Sequence, residues 1–360
     1  MTEHAGREPE SIQYKEHYPY VTRSLVRLFN EGSLTNVRDV VVEPKYGYVS
    51  RIQYNNGTFR VTYGNDLGLN TGAAEDLAKD KGHTKFMLRS IGVACPRGDE
   101  FLLPWWADTI RPSQENRGNS DIKTTSEAES YVNQVLGYPV YIKPVSGSKG
   151  GDVYRVENDQ ELNEIIDIYE EKKIKLAVIE EAVLMPDYRV VVLDGELISA
   201  YERRPLSVVG NGVDTTENLI GALQESYQLD GRDTLLEPRD PRIIKHLGKR
   251  GLGLDYIPSV DERLILTSIS NLSAGGTSVD VSDTIASRWV DVAARIANNF
   301  NLRLCGVDLA CADISSGDAD YSVLEVNSTP GLDHYASSGE NQKRIVDDLY
   351  IRVLNVPPTN

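Results

Sequence analysis

The chain has little cysteine, little histidine, no long apolar run and a deficit of positive charge. Its three cysteines, Cys95, Cys305 and Cys311, are odd in number and have no metal-site spacing. That excludes a disulfide framework or a zinc ribbon and leads us to expect a reducing, cytoplasmic setting. The five histidines stand in no nucleophile context, so a Ser–His–Asp or Cys–His mechanism lacks its parts. No stretch approaches the roughly 18 apolar residues of a membrane span, and the polar opening MTEHAGREPE carries no secretory signal. Against 54 acidic residues stand 38 basic ones, a formal charge of −16. Nucleic acids and anionic membranes select basic faces, so neither is an expected partner. A small anionic ligand needs only a local cluster of Lys and Arg.

What is there begins with length: 360 residues give room for two or three packed domains. Val21, Leu25, Leu28 and Phe29 recur at helical spacing ahead of Gly32. RIQYNNGTFRVTY predicts a hairpin turning at Asn56-Gly57. The order then becomes dense: a helix stopped at Gly137, the strand YPVYIKPV, the glycine loop SGSKGG, the strand DVYRV, a helix opened by an Asn158/Glu161 capping box, and the strand KLAVIEEAV. Beyond a hairpin at Asp194-Gly195, residues to about 261 read as a polar stretch without a motif. A helix with an Ile285, Trp289, Val292, Ile296 and Phe300 stripe follows, then the hairpin LRLCGVDLACAD…YSVLEVN and an amphipathic helix through Ile345 and Leu349.

In LEVNSTPG (324–331), Glu325 and Asn327 lie two residues apart on an apolar strand and so share a face. If Ala312 pairs with Tyr321, Asp308 lies opposite Glu325, and only an odd slip of register parts them. Facing carboxylates repel, and neither residue favours strands. A divalent cation would compensate, since Mg²⁺ takes one or two carboxylates and completes its shell with nucleotide phosphates and water. Asn327 adds a carbonyl oxygen. The plain alternative is a solvated, exposed sheet face.

KPVSGSKGGDV puts three glycines in five positions, which lets backbone amides approach phosphate oxygens. It is neither a Walker loop nor a dinucleotide fingerprint, because no helix begins there. A loop between two strands would cover phosphates as a flap, with Lys143 reaching them from the strand before it; alternatively it is a simple flexible hairpin. VIEEAVLMPDYRV ends a strand in Glu180-Glu181, after which backbone at Ala182 and Val183 could pair with an adenine edge while a carboxylate takes the exocyclic amine or the ribose. Otherwise it is only the start of a loop.

In this order, the segments LNTGAAEDLAKDKGHTKFMLRSIGVACPRG, YIKPVSGSKGGDV, IEEAVLMPDYRVVVLDGELISAYERRP, NLSAGGTSVDVSD, CGVDLACADIS and LEVNSTPG resemble the ATP-grasp carboxylate–amine ligases. The likeness is nearest to the ATP-grasp module of cyanophycin synthetase and of fused glutathione synthetases. It covers about residues 67–339. It implies an α/β (α+β) chain with the ATP-grasp fold, in which two α+β subdomains clamp ATP behind a smaller N-terminal domain. The expected boundaries are 1–80 for the N-terminal domain, 81–184 for the subdomain with the flap, and 185–360 for the subdomain with the metal site.

The resemblance also implies roles. Lys81 and Lys143 neutralise ATP phosphates, and Ser146, Gly147, Ser148, Gly150 and Gly151 belong to the flap. Glu180, Glu181, Ala182 and Val183 form the adenine hinge, with Asp187 at the ribose. Asp308, Glu325 and Asn327 hold Mg²⁺, or Mn²⁺ in its place. Arg203 supports the transferring phosphoryl group, and Asn271 closes near it with Gly275 and Gly276. The implied reaction forms an amide or peptide bond through an acyl phosphate, from small carboxylate and amine substrates such as amino acids or short peptides, releasing ADP and phosphate. A homodimer or homotetramer is the implied assembly. The alternatives are a phosphotransferase on the same frame and a nucleotide-binding regulator without turnover.

Two departures qualify the likeness. Cyanophycin-type relatives carry an Arg just before NLS, whereas this chain has no basic residue between Arg263 and Arg288. No Mur-ligase-like module follows, so iterative polymer synthesis is not expected.

Overall fold

The computed structural model describes residues 12, 15–114, 122–147, 152–229 and 234–358. Helix α1 (Tyr20–Asn30) precedes three strands, β1 (Val37–Val42), β2 (Val49–Tyr54) and β3 (Phe59–Tyr63), which form an antiparallel sheet in that order. The β2–β3 turn falls at Asn56-Gly57, where Gly57 has φ 91°, a conformation that tight hairpins take from glycine. Val40, Ile52 and Tyr54 point inward onto Val21, Leu25, Leu28 and Phe29 of α1.

Next come α2 (Gly72–Lys79), α3 (Lys81–Ser90), β4 (Gly98–Leu102), α4 (Pro104–Gln114), β5 (Lys123–Thr124) and α5 (Thr125–Tyr131). Then follow β6 (Val140–Pro144), β7 (Tyr154–Val156), α6 (Asp159–Glu171) and β8 (Leu176–Glu181). The sheet order is β5-β4-β8-β6-β7. Phe101, Ile142 and Ile179 of this sheet pack on Leu162, Ile165 and Tyr169 of α6, a core separate from the others. The α6 cap differs from expectation. Asn158 accepts from the Glu161 amide, but the Glu161 carboxylate reaches the Glu157 amide and Lys249 instead of closing a capping box. The complete capping box is Thr124 with Glu127, at the start of α5.

Strands β9 (Asp187–Leu193) and β10 (Glu196–Arg204) begin the third unit. The chain then leaves for β11 (Ser207–Val209), α7 (Thr216–Leu229), α8 (Pro241–Gly248) and β12 (Arg263–Ile265). It returns as β13 (Thr277–Asp280), α9 (Ser287–Asn299), β14 (Leu304–Cys311), β15 (Tyr321–Asn327), α10 (Asp333–Ala336) and α11 (Glu340–Leu354). The main sheet has the order β13-β10-β9-β14-β15. One of its faces rests on Trp289, Ala293 and Ile296 of α9. Residues at one end of the other face, Val191, Leu193 and Tyr201, share a core with α1, α11 and the N-terminal sheet.

The excursion corrects the reading of a featureless polar stretch. Val208, Ile220, Tyr227, Ile243, Leu247 and Leu264 form a small core of their own. Asp240 caps α8 with Pro241 at its first position, a start signal that the surrounding charge concealed. Lys249 ties this lobe to α6 through Glu161 at 3.2 Å and Glu157 at 3.6 Å.

Candidate active site

The main sheet alternates apolar and charged residues, and the charged set shares one face. Strand pairing aligns Tyr201 with Arg189, Arg189 with Asp308, and Asp308 with Glu325, giving one row across four strands. Two residues along, Arg203 stands beside Asp187, and on the other side Gly306 stands beside Asn327. A Cβ on Gly306 would lie 3.1 Å from Pro330 and 3.3 Å from the Arg189 side chain, so glycine keeps this row open.

The Asp308–Glu325 pairing is reached differently than expected. Cys311, not Ala312, pairs with Tyr321; a bulge between the Asp308 and Leu309 pairings then inserts Leu324 and restores Asp308 to Glu325. Strand bulges re-aim side chains in this way.

Asp308 is 2% exposed. Arg189 grips both its oxygens, Nε to Oδ1 at 2.7 Å and Nη2 to Oδ2 at 2.9 Å. Arg203 reaches Oδ2 of Asp308 at 2.9 Å and Oδ1 of Asp187 at 2.8 Å. Burial alone would raise the Asp308 pKa, but the two guanidiniums outweigh it and hold it below the ordinary carboxylate range. For Asp187 the balance reverses. Burial, reinforced by the Asp308 charge, exceeds the pull of Arg203 and lifts it to about 6.

Lys81 begins α3, whose N-cap Asp80 accepts from the His83 amide and bridges to Ser146. The Lys81 ammonium lies 3.2 Å from the carbonyl of Gly147 and 3.6 Å from Oε1 of Glu325. One side chain thus touches both the root of the glycine loop and the acidic strand. Ser148, Gly150 and Gly151 lie outside the described residues.

Lys143 is buried on β6, and its ammonium pairs with Glu180 of β8, which also pairs with Lys85 of α3. Burial would raise the Glu180 pKa, yet Lys143 and Lys85 bring it down to about 2. Burial and the neighbouring Lys143 push Lys85 down, against the pull of Glu180. Two ammonium groups around one carboxylate leave an excess positive charge in a buried place, which favours an anion nearby.

The hinge residues differ in detail from expectation. Neither carboxylate is free for a base or ribose: Glu180 is engaged by the lysines, and Glu181 accepts from the Arg97 amide at 2.8 Å and its Nε at 2.7 Å. The Ala182 N–H donates to the carbonyl of Pro139 at 3.2 Å, because β8 continues its pairing alongside β6. Val183, half-buried, follows the end of β8. Asn271 caps its own turn, accepting from the Ser273 amide at 3.0 Å. The Asp187 carboxylate is likewise held, by Arg203.

Two residues of this cluster escape the sequence reading, Arg189 and Lys85. Both had a signal. Arg189 alternates with Asp187 on one strand and so shares its face, and Lys85 follows Lys81 by one helical turn.

The donors at Asp308, Glu325 and Asn327 are all oxygens, which suits a hard divalent cation. Asn327 Nδ2 is buried without a partner, and such a donor calls for an acceptor, a water or a phosphate oxygen, beside the cation. Among the described residues no three His, Cys, Asp or Glu side chains gather closely enough to hold a metal unaided. A cation here would share Asp308 with the arginines and draw other ligands from phosphate and water. Also among the described residues, no helix is long and apolar enough to cross a membrane.

Residues 116–267 match the RimK-like ATP-grasp domain family. The cyanophycin synthetase of Crocosphaera subtropica is 31% identical over 280 residues, spanning 76% of this chain and 30% of that protein. The glutathione biosynthesis bifunctional protein GshAB of Clostridium perfringens is 27% identical over 278 residues, 74% of this chain and 33% of that one. The chain therefore spans about a third of the length of these curated relatives. Among solved structures, a bifunctional glutathione synthetase from Pasteurella multocida superposes with a TM-score of 0.57 at 20% identity, covering 94% of this chain and 45% of that one. The fold is the ATP-grasp fold, and both kinds of relative are those to which the sequence motifs point.

Proposed function

We propose that the chain is an ATP-dependent carboxylate–amine ligase that joins an amino-acid or short-peptide carboxylate to an amine, with ADP and phosphate as the other products. The observation that carries this reading is the position of Lys81, within 3.2 Å of the glycine loop and 3.6 Å of Glu325. It brings a phosphate-binding loop, a cation and an acidic strand to one point in a chain that is otherwise strongly anionic.

Residues 81–184 and 185–360 close on the nucleotide from two sides, behind the N-terminal domain 1–80. Lys81 and Lys143 meet the phosphates under the loop Ser146–Gly151. The 180–183 junction borders the base, through backbone at Val183 and the Ala182 carbonyl. Asp308, Glu325 and Asn327 hold Mg²⁺, which would neutralise phosphate charge and fix its orientation. Arg203, positioned by Asp187, and Arg189, positioned by Asp308, present guanidiniums to charge developing on the transferring phosphoryl group.

The chemistry balances simply. A carboxylate oxygen attacks the γ-phosphorus as the bond to ADP breaks. The lone pair of an unprotonated amine then attacks the acyl carbon, phosphate leaves, and the nitrogen loses a proton. Such a sequence relies on placement and charge neutralisation more than on a side-chain base.

The test is incubation with ATP and Mg²⁺ against pooled amino acids, short peptides and polyamines, with mass spectrometry of the products. A mass equal to two substrates less water, appearing with ADP and phosphate, supports the ligase. A phosphorylated product with ADP and no free phosphate assigns a phosphotransferase instead.

A further inference from the structure

A charged side chain buried away from water ordinarily meets a counter-charge. Arg60 of β3 does not. It is 5% exposed, and among the described residues its hydrogen bonds all end on neutral oxygens. Nε donates to the Tyr54 hydroxyl at 3.1 Å, Nη1 to the carbonyls of Leu67 at 3.1 Å and Gly68 at 3.4 Å, and Nη2 to the carbonyl of Val356 at 2.9 Å. These acceptors satisfy the donors and leave the charge unanswered.

Arg60 borders a cavity of about 100 Å³ together with Arg303, Arg352 and Asp194, walled by Leu193 and Val353. The cavity lies where the N-terminal sheet, the β9–β10 turn and the end of α11 meet. Asn70 fixes the Arg303 backbone, accepting from its amide at 2.8 Å, and Arg303 grips both oxygens of Asp194, each at 2.8 Å. The Arg303 hydrogen bond, aided by the charges of Arg303 and Arg352, holds the Asp194 carboxyl below its ordinary range. Arg352 has Glu196 at 2.7 Å, but Glu196 does not line the cavity and is 68% exposed, and so open a pair neutralises little. Three guanidiniums thus share the cavity wall with one carboxylate, in a chain whose formal charge is −16.

We propose that this cavity is a second anion site, separate from the nucleotide site, and that it takes inorganic phosphate. Guanidinium forks match phosphate oxygens in pairs. The three here stand on β3, just before β14 and on α11, which suits a tetrahedral ligand better than a planar carboxylate. One water needs about 10–15 Å³ of such space, so phosphate fits with waters beside it. Nucleotide-sized ligands need pockets of about 300 Å³ or more. The site is also remote from the chemistry, because Leu193 lies about 13 Å along β9 from Arg189.

The experiment is calorimetric titration of the full chain with inorganic phosphate at constant ionic strength. One saturable equivalent is expected in the wild type, and it should survive Lys81→Met, which alters the nucleotide site. Arg352→Gln, on the open side of the cavity, should weaken it by roughly 10-fold or more, the scale of a hydrogen bond to a charged group. Thermal melting in chloride checks that this variant is folded. Asp194→Asn, tolerated at φ 52° in its turn, removes the one anion in the wall and should tighten binding, a direction that damage to the fold would not give. Glycerol phosphate, titrated in parallel, separates the free ion from an ester, and phosphate is expected to bind more tightly. No binding that survives Lys81→Met, Arg352→Gln equal to the wild type, Asp194→Asn without tightening, or preference for the ester would each overturn the proposal.

Discussion

Arg189 and Asp308 face each other across β9 and β14, and the guanidinium holds both carboxylate oxygens, at 2.7 and 2.9 Å. Two parallel charge-assisted bonds fix the carboxylate in direction as well as in charge. Removing the cation leaves Asp308, 2% exposed, with Arg203 alone. Arg189→Met should therefore cost about 3 kcal/mol of stability, the scale of a broken buried ion pair. Urea denaturation measures that loss, and an unchanged midpoint would contradict the pairing.

Glu325 is more open than Asp308, and Lys81 approaches it to 3.6 Å. Glu325→Gln should leave thermal melting nearly unchanged while lowering ATP turnover by about 100-fold or more, the scale of losing one preorganised charge at a transition state. Chelating Mg²⁺ should abolish turnover in the wild type, and adding Mg²⁺ or Mn²⁺ should restore it. Turnover that survives in both experiments would remove the metal from Asp308, Glu325 and Asn327.

Lys81→Met removes the ammonium that links the glycine loop to the acidic strand. A charge-assisted hydrogen bond to phosphate contributes about 1.5–3 kcal/mol, so nucleotide affinity should fall roughly 10- to 100-fold. Calorimetric titration with a non-hydrolysable ATP analogue reads this directly. Equal affinity in wild type and variant would place the phosphates elsewhere.

Glu180 gives the acid limb of stability a definite sign. Burial opposes its ionisation, but Lys143 and Lys85 hold its pKa at about 2, against an ordinary 4.5. A depressed carboxylate stabilises the fold fully above its unfolded pKa and loses that contribution as pH falls through its folded one. Unfolding free energy should therefore decline between about pH 4.5 and about pH 2. In Lys85→Met, with one cation fewer, the decline should be shallower. Urea titrations at several pH values in that window compare the two, and parallel curves would show that Lys85 does not act on Glu180.

Much of the architecture is legible in residue order because local patterns agree with the final packing. The hairpin at Asn56-Gly57, the stop at Gly137 and the stripe of Trp289, Ile296 and Phe300 each follow from period and turn chemistry. The acidic strands are legible because a carboxylate at an inward strand position requires a partner. Less legible is which partner. Sequence spacing does not reveal that Lys85, one helical turn after Lys81, meets Glu180 of β8, nor that Arg189 rather than a metal alone answers Asp308. These are cross-strand and helix-to-sheet meetings, set by tertiary packing. The lobe from 206 to 266 was hidden for another reason. Its core is small, and uncharged polar residues such as Asn218, Gln224 and Gln228 interrupt the apolar positions of α7.

The inserted residue in β15 has a further consequence. Up to Val323 the strand keeps one phase with β14, and from Glu325 onward it keeps the opposite one, with Leu324 as the boundary. Without that shift, Glu325 would face the apolar side packed on α9 and Leu324 would take its place opposite Asp308. The loop-side half of the hairpin, where Tyr321 meets Trp289, is thereby free to serve the core while the other half serves the chemistry. Deleting the single residue Leu324 would close the bulge and leave Glu325 directly after Val323, still opposite Asp308, with the ligand-bearing end in one continuous register.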